Sequence, residues 1–190
     1  MTGPGPTAAG TLAVEPALDR LDLLAPPVAE ALAGLDPDRA AGVGVAPIDP
    51  DLADTAAFCA AYGVGLDISA NCVVVLGRRA GVERFAACLV LATTRADVNG
   101  VVRRTMDVRS ASFAPMDTAT SRTGMEYGGI TPLGLPASWP VLVDRAVADA
   151  PLVVVGSGIR GGKLLLPGAL VAELPGATVI DGLGRPVQPA

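Results

Sequence analysis

"NCVVVLGRRAGVERFAACLVLATT", residues 71–94, decides how the rest of the chain is read. Its two apolar runs, "NCVVVLG" and "RFAACLVLATT", have the length and the Val/Leu/Cys composition of buried strands, and the arginine-containing turn "RRAGVE" joins them. A register that sets Leu76 opposite Arg84 also sets Cys72 opposite Cys88. Upstream, apolar positions recur at helical spacing from Val14 to Leu24, with Pro26-Pro27 expected to end that helix; a second short helix is predicted over Val28 to Leu35. "GVGVAPI" (42–48) reads as a strand, and Asp49 or Asp51 as the cap of a helix that stops at Gly63. Downstream, helices are predicted over 97–106 and 115–123, strands at "PVLVD" (140–144), "PLVVVG", "KLLL" and "ATVI", and a helix opened by Pro167. Strands and helices interspersed this irregularly indicate a mixed α+β domain, not a regular βαβ alternation. Residues 1–13, rich in Gly, Pro, Thr and Ala, are expected to be unstructured; 14–48 form a helical extension with the first strand, and 49–185 the main domain.

Composition narrows the chemistry. With 51% hydrophobic residues but only 3% aromatic, the 190-residue chain must build its core from Ala, Val and Leu. Gly, Pro or Arg interrupts every apolar run before the roughly 18 to 20 residues that would cross a bilayer. The start "MTGPGPTAAGTLAVEP" has no basic segment followed by an apolar block, so the expected location is cytoplasmic. Three cysteines, Cys59, Cys72 and Cys88, cannot all pair and are expected to be reduced and mostly buried. The chain has no histidine. That removes Ser-His and Cys-His nucleophilic pairs, and three cysteines alone do not close a tetrahedral zinc shell, so no metal and no cofactor is expected. Asp49, Asp51 and Asp54 could suggest a cation site, but helix capping and dipole complementarity account for them. The formal charge of −5 is unevenly divided: residues 1–70 sum to −8 and residues 71–190 to +3. Basic clusters at Arg78, Arg79 and Arg84, at Arg103, Arg104 and Arg109, and at Arg160 with Lys163 could meet a polyanion, or simply be solvated.

Three glycine-containing motifs compete for attention. Gly156-Ser157-Gly158-Ile159-Arg160-Gly161 satisfies the G-x-G-x-x-G dinucleotide pattern after a strand, and Asp181 follows about 20 residues on. A helix would have to begin inside the motif to face a pyrophosphate, whereas "GGKLLLPG" offers two further glycines and a Pro167-Gly168 break. A phosphate P-loop fails because Leu164, not Ser or Thr, follows Lys163. Ser157 and Lys163 could form a nucleophile and base pair, on sequence proximity alone. The third motif is "EYGGITPLGLP" (126–136), where Gly128 and Gly129 permit positive φ and Pro132 holds Thr131 extended. Amides freed in this way can bind a carbonyl oxygen or a developing oxyanion, although a plain turn would use the same residues.

In order, the chain presents "ISANCVVV", "ASFAPMD", "TGMEYGGITPLGLP", "WPVLVD" and "VVVGSGIRGGKLLL". This succession resembles the YbaK / prolyl-tRNA synthetase-associated domain family, whose free-standing and synthetase-inserted members hydrolyse mischarged aminoacyl-tRNAs. The resemblance runs from about residue 50 to 181 and is most specific in the loop from Gly128 and Gly129 through Gly134. It implies a single α+β domain around a barrel-like mixed β-sheet flanked by helices, with a pocket for the aminoacylated 3′ end of tRNA. It further implies that Gly129, Ile130, Thr131 and Pro132 position the ester and the attacking water. Asn71, Tyr127, Gly128, Gly134, Asp144, Ser157 and Gly158 would form the substrate-binding wall. Arg78, Arg79, Arg103, Arg104, Arg160 and Lys163 would lie along the tRNA backbone, and a synthetase would be a further partner. One departure is plain: the lysine usual at the start of the strand is replaced by Asn71, which can hydrogen-bond but carries no charge. The implied activity is that of a trans-acting aminoacyl-tRNA deacylase. Its alternatives are a non-catalytic binding module that has lost turnover with the lysine, and an NAD-binding enzyme through Gly156, Gly158 and Gly161. For Asp144 an N-cap before "RAVADA", and for Trp139 a half-buried anchor, are the competing structural roles.

Overall fold

The computed structural model describes residues 9–187. Its eleven strands are β1 (Glu15–Pro16), β2 (Gly44–Pro47), β3 (Ala70–Arg79), β4 (Val82–Leu91), β5 (Thr94–Ala96), β6 (Ser110–Phe113), β7 (Val141–Asp144), β8 (Val153–Gly156), β9 (Gly162–Leu166), β10 (Ala177–Ile180) and β11 (Gly184–Pro186). Helices are α1 (Pro26–Ala33), α2 (Pro37–Ala41), α3 (Thr55–Tyr62), α4 (Arg103–Thr105, continuing a π-turn over Val98–Val102), α5 (Met116–Thr123), α6 (Arg145–Ala148) and α7 (Gly168–Ala172).

One sheet has the order β1-β2-β9-β8 and another β10-β7-β4-β3-β6, while β11 and β5 form a separate ribbon. The second sheet is mixed, with β7 parallel to both β4 and β10 and the other pairs antiparallel. A parallel bridge between Ser69 and Val154 couples the two sheets where β3 begins. The result is the expected α+β domain with helices on the sheets; between β1 and β10 no pairing closes it into a barrel among the described residues.

Alternation along the strands explains why they read as unbroken apolar runs. Val153, Val155, Leu164 and Leu166 point into the main core with Leu89, Val141 and Val143, whereas Val154 and Leu165 point to the opposite face and pack with Phe58 beneath α3. Likewise Leu142, Cys88 and Val90 face a third cluster formed with the 98–106 segment. Covering both faces of a sheet demands apolar residues at every position.

Several local expectations are corrected. Val14 to Leu24 does not form one helix: Glu15–Pro16 is a short strand, and Ala17–Asp19 and Leu21–Leu23 are separate 3-10 turns, between which Arg20 pairs with Glu15 and Asp22. Pro26 and Pro27 begin α1 instead of ending a helix, because a proline in the first turn lacks only an N–H that would have had no partner. The hairpin register differs by one residue: Leu76 faces Phe85 and Gly77 faces Arg84, so Val73, not Cys72, is opposite Cys88. The cause is the two-residue turn Ala80-Gly81, both at positive φ (51° and 80°), which pairs Arg79 with Val82 and leaves no slack. The strand β6 had no sequence signal, since "SASF" is mostly exposed and is held by its pairing with β3 and by Ala111 against the third cluster. Of the segment expected to be unstructured, residues 1–8 lie outside the described residues, while Ala9 and Leu12 are buried and Thr11 N–H donates to Tyr62 O. No described helix is long and apolar enough to cross a membrane.

Candidate active site

A cavity of about 530 Å³ opens where the two sheets meet. Its floor comes from Ser69 and Ala70 at the start of β3, Val154 and Gly156 of β8, and Lys163 of β9. Ala53, Asp54 and Thr55 enter from the start of α3, and Thr94, Arg95 and Ala96 from β5. The "EYGGITPLGLP" loop forms a further wall through Tyr127, Gly128 and Ile130, with exposed Phe113 and buried Ala119 completing the lining.

That wall is held by a network centred on the β8–β9 turn. Gly158 N–H donates to Gly129 O at 2.8 Å, and Glu126 N–H to Gly158 O at 2.8 Å. The Glu126 carboxylate accepts from Arg160 N–H at 2.7 Å, while the Arg160 guanidinium donates to Tyr127 O at 3.2 Å and Pro50 O at 3.1 Å. Gly128 sits at φ 87°, a conformation that calls for glycine, and a Cβ there would also push on the Arg160 guanidinium at 2.6 Å. Among the described residues, the amides of Gly128 and Ile130 donate to no protein acceptor, and both residues line the cavity.

Asn71 lines the same cavity. Its Oδ1 accepts from the Thr55 hydroxyl at 2.6 Å, which leaves the Nδ2 donors free to face a ligand. Two cations accompany it. Arg95 lies exposed on the rim and makes no ion pair among the described residues. Lys163 is only 7% exposed: its ammonium donates to Ala53 O at 3.0 Å and stands 4.8 Å from the centre of the Phe58 ring, and burial pulls its pKa below the usual lysine value. This corrects the sequence reading that grouped Lys163 with Arg160 on a nucleic-acid-facing surface. Period two along β9 puts Lys163 on the face of Leu165, beneath α3, a placement the strand pattern "GKLLL" could have indicated.

The remaining expected site residues lie elsewhere. Gly129 packs on the Ile159 backbone, behind the cavity wall. Thr131 and Pro132 are buried behind the loop, and the Thr131 hydroxyl has no hydrogen-bond partner. Gly134, Ser157 and Gly158 pack toward α1: Gly134 against Pro27 and Val28, Gly158 against Ala25 and Val28, while Ser157 O accepts from Ala25 N–H. Ser157 makes no bond to Lys163 and does not line the cavity. Asp144 caps α6 by accepting from Ala146 N–H at 3.0 Å and also takes Gly184 N–H at 2.6 Å. Trp139 is buried and stacks on Phe85 with ring centres 5.0 Å apart. Arg78 and Arg79 pair with Glu83 and Asp107 at the far end of the hairpin, and Arg103 donates to Asn99 O. Arg160 is a rim staple rather than a free surface cation. The G-x-G-x-x-G segment is the hairpin loop between antiparallel β8 and β9, so it has no helix N-terminus for a pyrophosphate and the dinucleotide reading has no structural basis. Asp49 accepts from Asp51 N–H as a cap, and no cluster of three or more potential metal ligands occurs among the described residues.

Cys59, Cys72 and Cys88 are free. Burial raises the Cys88 thiol to about 12, and burial with the nearby Cys88 raises Cys72 further, so neither is a thiolate nucleophile at neutral pH.

Comparison with known proteins finds that a family model for the aminoacyl-tRNA editing domain matches residues 49–174. A solved structure of a candidate trans-editing enzyme for prolyl tRNA synthetase shares 21% identity, with a TM-score of 0.68 over 85% of this chain and 99% of the other. A scaffold protein used for computational epitope grafting gives 22% identity and a TM-score of 0.69 over 85% and 97% of the two chains. A hypothetical protein gives 21% and 0.67 over 77% and 94%. At these identities the three structures establish the shared fold.

Proposed function

The chain belongs to the aminoacyl-tRNA editing domain family, and on that premise we propose that it is a trans-acting deacylase that hydrolyses the ester of a mischarged tRNA. The observation that carries the reading is the cavity lining, which brings Gly128 and Ile130, whose amides have no protein acceptor, and Asn71, whose amide donors have none, to one space large enough for an esterified adenosine. In the reaction, water attacks the ester carbonyl carbon and the carbonyl oxygen takes up negative charge. The Gly128 and Ile130 N–H groups stabilise that oxyanion, the bond to the ribose oxygen breaks, and the ribose oxygen leaves with a proton. An ester is already activated, so positioning and preorganised donors supply much of the acceleration without a histidine. The loop assignment thus moves from Gly129, Thr131 and Pro132 to Gly128 and Ile130, with the former three supporting them from behind.

The mouth suits the nucleotide. Among the described residues the only largely exposed aromatic rings are Phe113 at 58% and Tyr127 at 57%, and both line this cavity. Such rings offer stacking faces to the terminal base, and Arg95 a partner for its phosphate. Arg78, Arg79, Arg103 and Arg104 would extend contact along the acceptor stem, a synthetase could deliver the substrate, and the work would be done in the cytoplasm. Binding is then expected to weaken steeply with salt.

A deacylation assay over a panel of mischarged tRNAs tests this: release above the buffer rate for at least one aminoacyl group is expected, and no release for any refutes catalysis. The uncharged Asn71 favours the second reading, a module that binds aminoacyl-tRNA without turnover; binding with no release would establish it.

A further inference from the structure

Exposure along the cavity defines a direction. Tyr127 and Phe113 are more than half exposed, whereas Lys163 is 7%, Ser69 4% and Val154 1% exposed. If the mouth holds the base, the covalent order base, ribose, ester, acyl group brings the acyl side chain to the floor. Lys163 is the charged group there, and it is incompletely satisfied. Its ammonium has three donors, of which one is given to Ala53 O, and among the described residues it forms no ion pair. The Phe58 ring stabilises the cation on one side and the exposed Asp54 carboxylate acts on it from the same cavity, but no carboxylate among the described residues is in contact with it, and a buried charge so weakly compensated is costly. Ser69 adds a buried hydroxyl to the same floor. A phosphate is not the expected partner, because it stays with the nucleotide at the mouth, near Arg95.

Resting on the deacylase reading, we propose that Lys163 is a specificity determinant that reads an oxygen near the end of the acyl side chain. The site therefore selects aminoacyl esters bearing a hydroxyl, amide or carboxylate over aliphatic ones of the same size. A floor built to donate hydrogen bonds rejects an isostere that leaves its donors unpaired, whereas an apolar floor separates isosteres poorly. Lowered basicity through burial is consistent with an ammonium that gains from meeting such an oxygen.

The test uses the full chain and an isosteric pair, threonyl and valyl esters on the same tRNA. Wild type should release threonine at least about 10-fold faster than valine, the size expected for a charged hydrogen bond gained with one substrate only. Lys163→Met should bring that ratio toward unity, while Gly34→Ala, on a helix end remote from the cavity, should keep it. A wild-type ratio near one, or a ratio unchanged in Lys163→Met, overturns the proposal. Calorimetry with non-hydrolysable 3′-amide-linked threonyl- and valyl-adenosine on wild type decides the matter if the variant does not fold. Should wild type release neither amino acid, nor any other, the deacylase reading fails separately; the amide pair still rules on the floor, with threonyl preference upholding it and equal binding overturning it.

Discussion

Replacing Gly156 by Ala places a methyl group into the tightest apposition in the site. A Cβ there would lie 2.6 Å from the Gly129 carbonyl carbon, closer still to its oxygen, and 3.0 Å from Ile130 O. Ordinary contact begins at 3.4 Å, so the 128–130 loop must retreat by about 1 Å. Both clashing groups are backbone and cannot rotate away. The retreat strains or breaks the Gly158 N–H to Gly129 O bond and moves the Gly128 and Ile130 amides off the position where the oxyanion forms. Overpacking and one lost hydrogen bond together cost about 2 to 3 kcal/mol, which for a chain of this size lowers Tm by roughly 5 to 8 °C. A displacement near 1 Å at the reacting centre reduces turnover by about 100-fold. Scanning calorimetry and single-turnover deacylation read the two effects, with circular dichroism confirming that the fold persists. Gly34→Ala is the control, because its Cβ would come no nearer than 3.5 Å to Glu30 O. Wild-type Tm and wild-type turnover in Gly156→Ala would refute the claim that this contact sets the loop.

Thr131→Val should stabilise the protein by about 1 kcal/mol in denaturant melts, because it removes a fully buried hydroxyl that has no partner at nearly constant shape; a loss of stability would show that the hydroxyl is satisfied. Asn71→Ala and Thr55→Ala should each slow deacylation, and the double variant should cost less than the sum of the two, by roughly 1 kcal/mol, since both singles break one bond. Strict additivity in that cycle would deny the coupling. Phe113→Ala and Tyr127→Ala should each raise KM by about 5- to 100-fold at unchanged Tm, the range for loss of one stacked base; unchanged KM removes the base from the mouth. Burial lowers the folded-state pKa of Lys163, so its destabilising effect is complete below that folded value and disappears as pH rises toward the unfolded value of 10.5. The stability gained by Lys163→Met should therefore be largest below the folded-state value and shrink as pH rises toward 10.5; a gain that is constant with pH would contradict the assignment.

Much of the architecture was legible in order of residues because strands buried on both faces announce themselves as unbroken Val/Leu runs: "NCVVV", "FAACLVL", "PVLVD", "LVVVG" and "KLLL" all became strands. The loop at 126–136 was also legible, since a glycine pair followed by Thr-Pro limits the conformations available to the backbone. The register of the hairpin was not, because both faces of β3 and β4 are apolar and only the Ala80-Gly81 turn distinguishes registers one residue apart. Nor was the helix expected over Val14 to Leu24: its apolar residues serve the core equally well from two 3-10 turns, and Arg20 gains partners only in that form.

At the site the division is sharper. Composition alone removed histidine chemistry, and local glycine content marked the segment with free amides. Which loop residues line the cavity depended on what lay behind them: Gly129 is pressed on Ile159 and Thr131 is fully buried, which leaves Gly128 and Ile130 at the wall. Arg160 and Lys163 are three residues apart in a basic-looking stretch, yet one staples the rim and the other is buried under α3. Their charge is a property of the residues, whereas their exposure is set by the β8–β9 hairpin and by a helix more than a hundred positions away, contacts that no local pattern encodes.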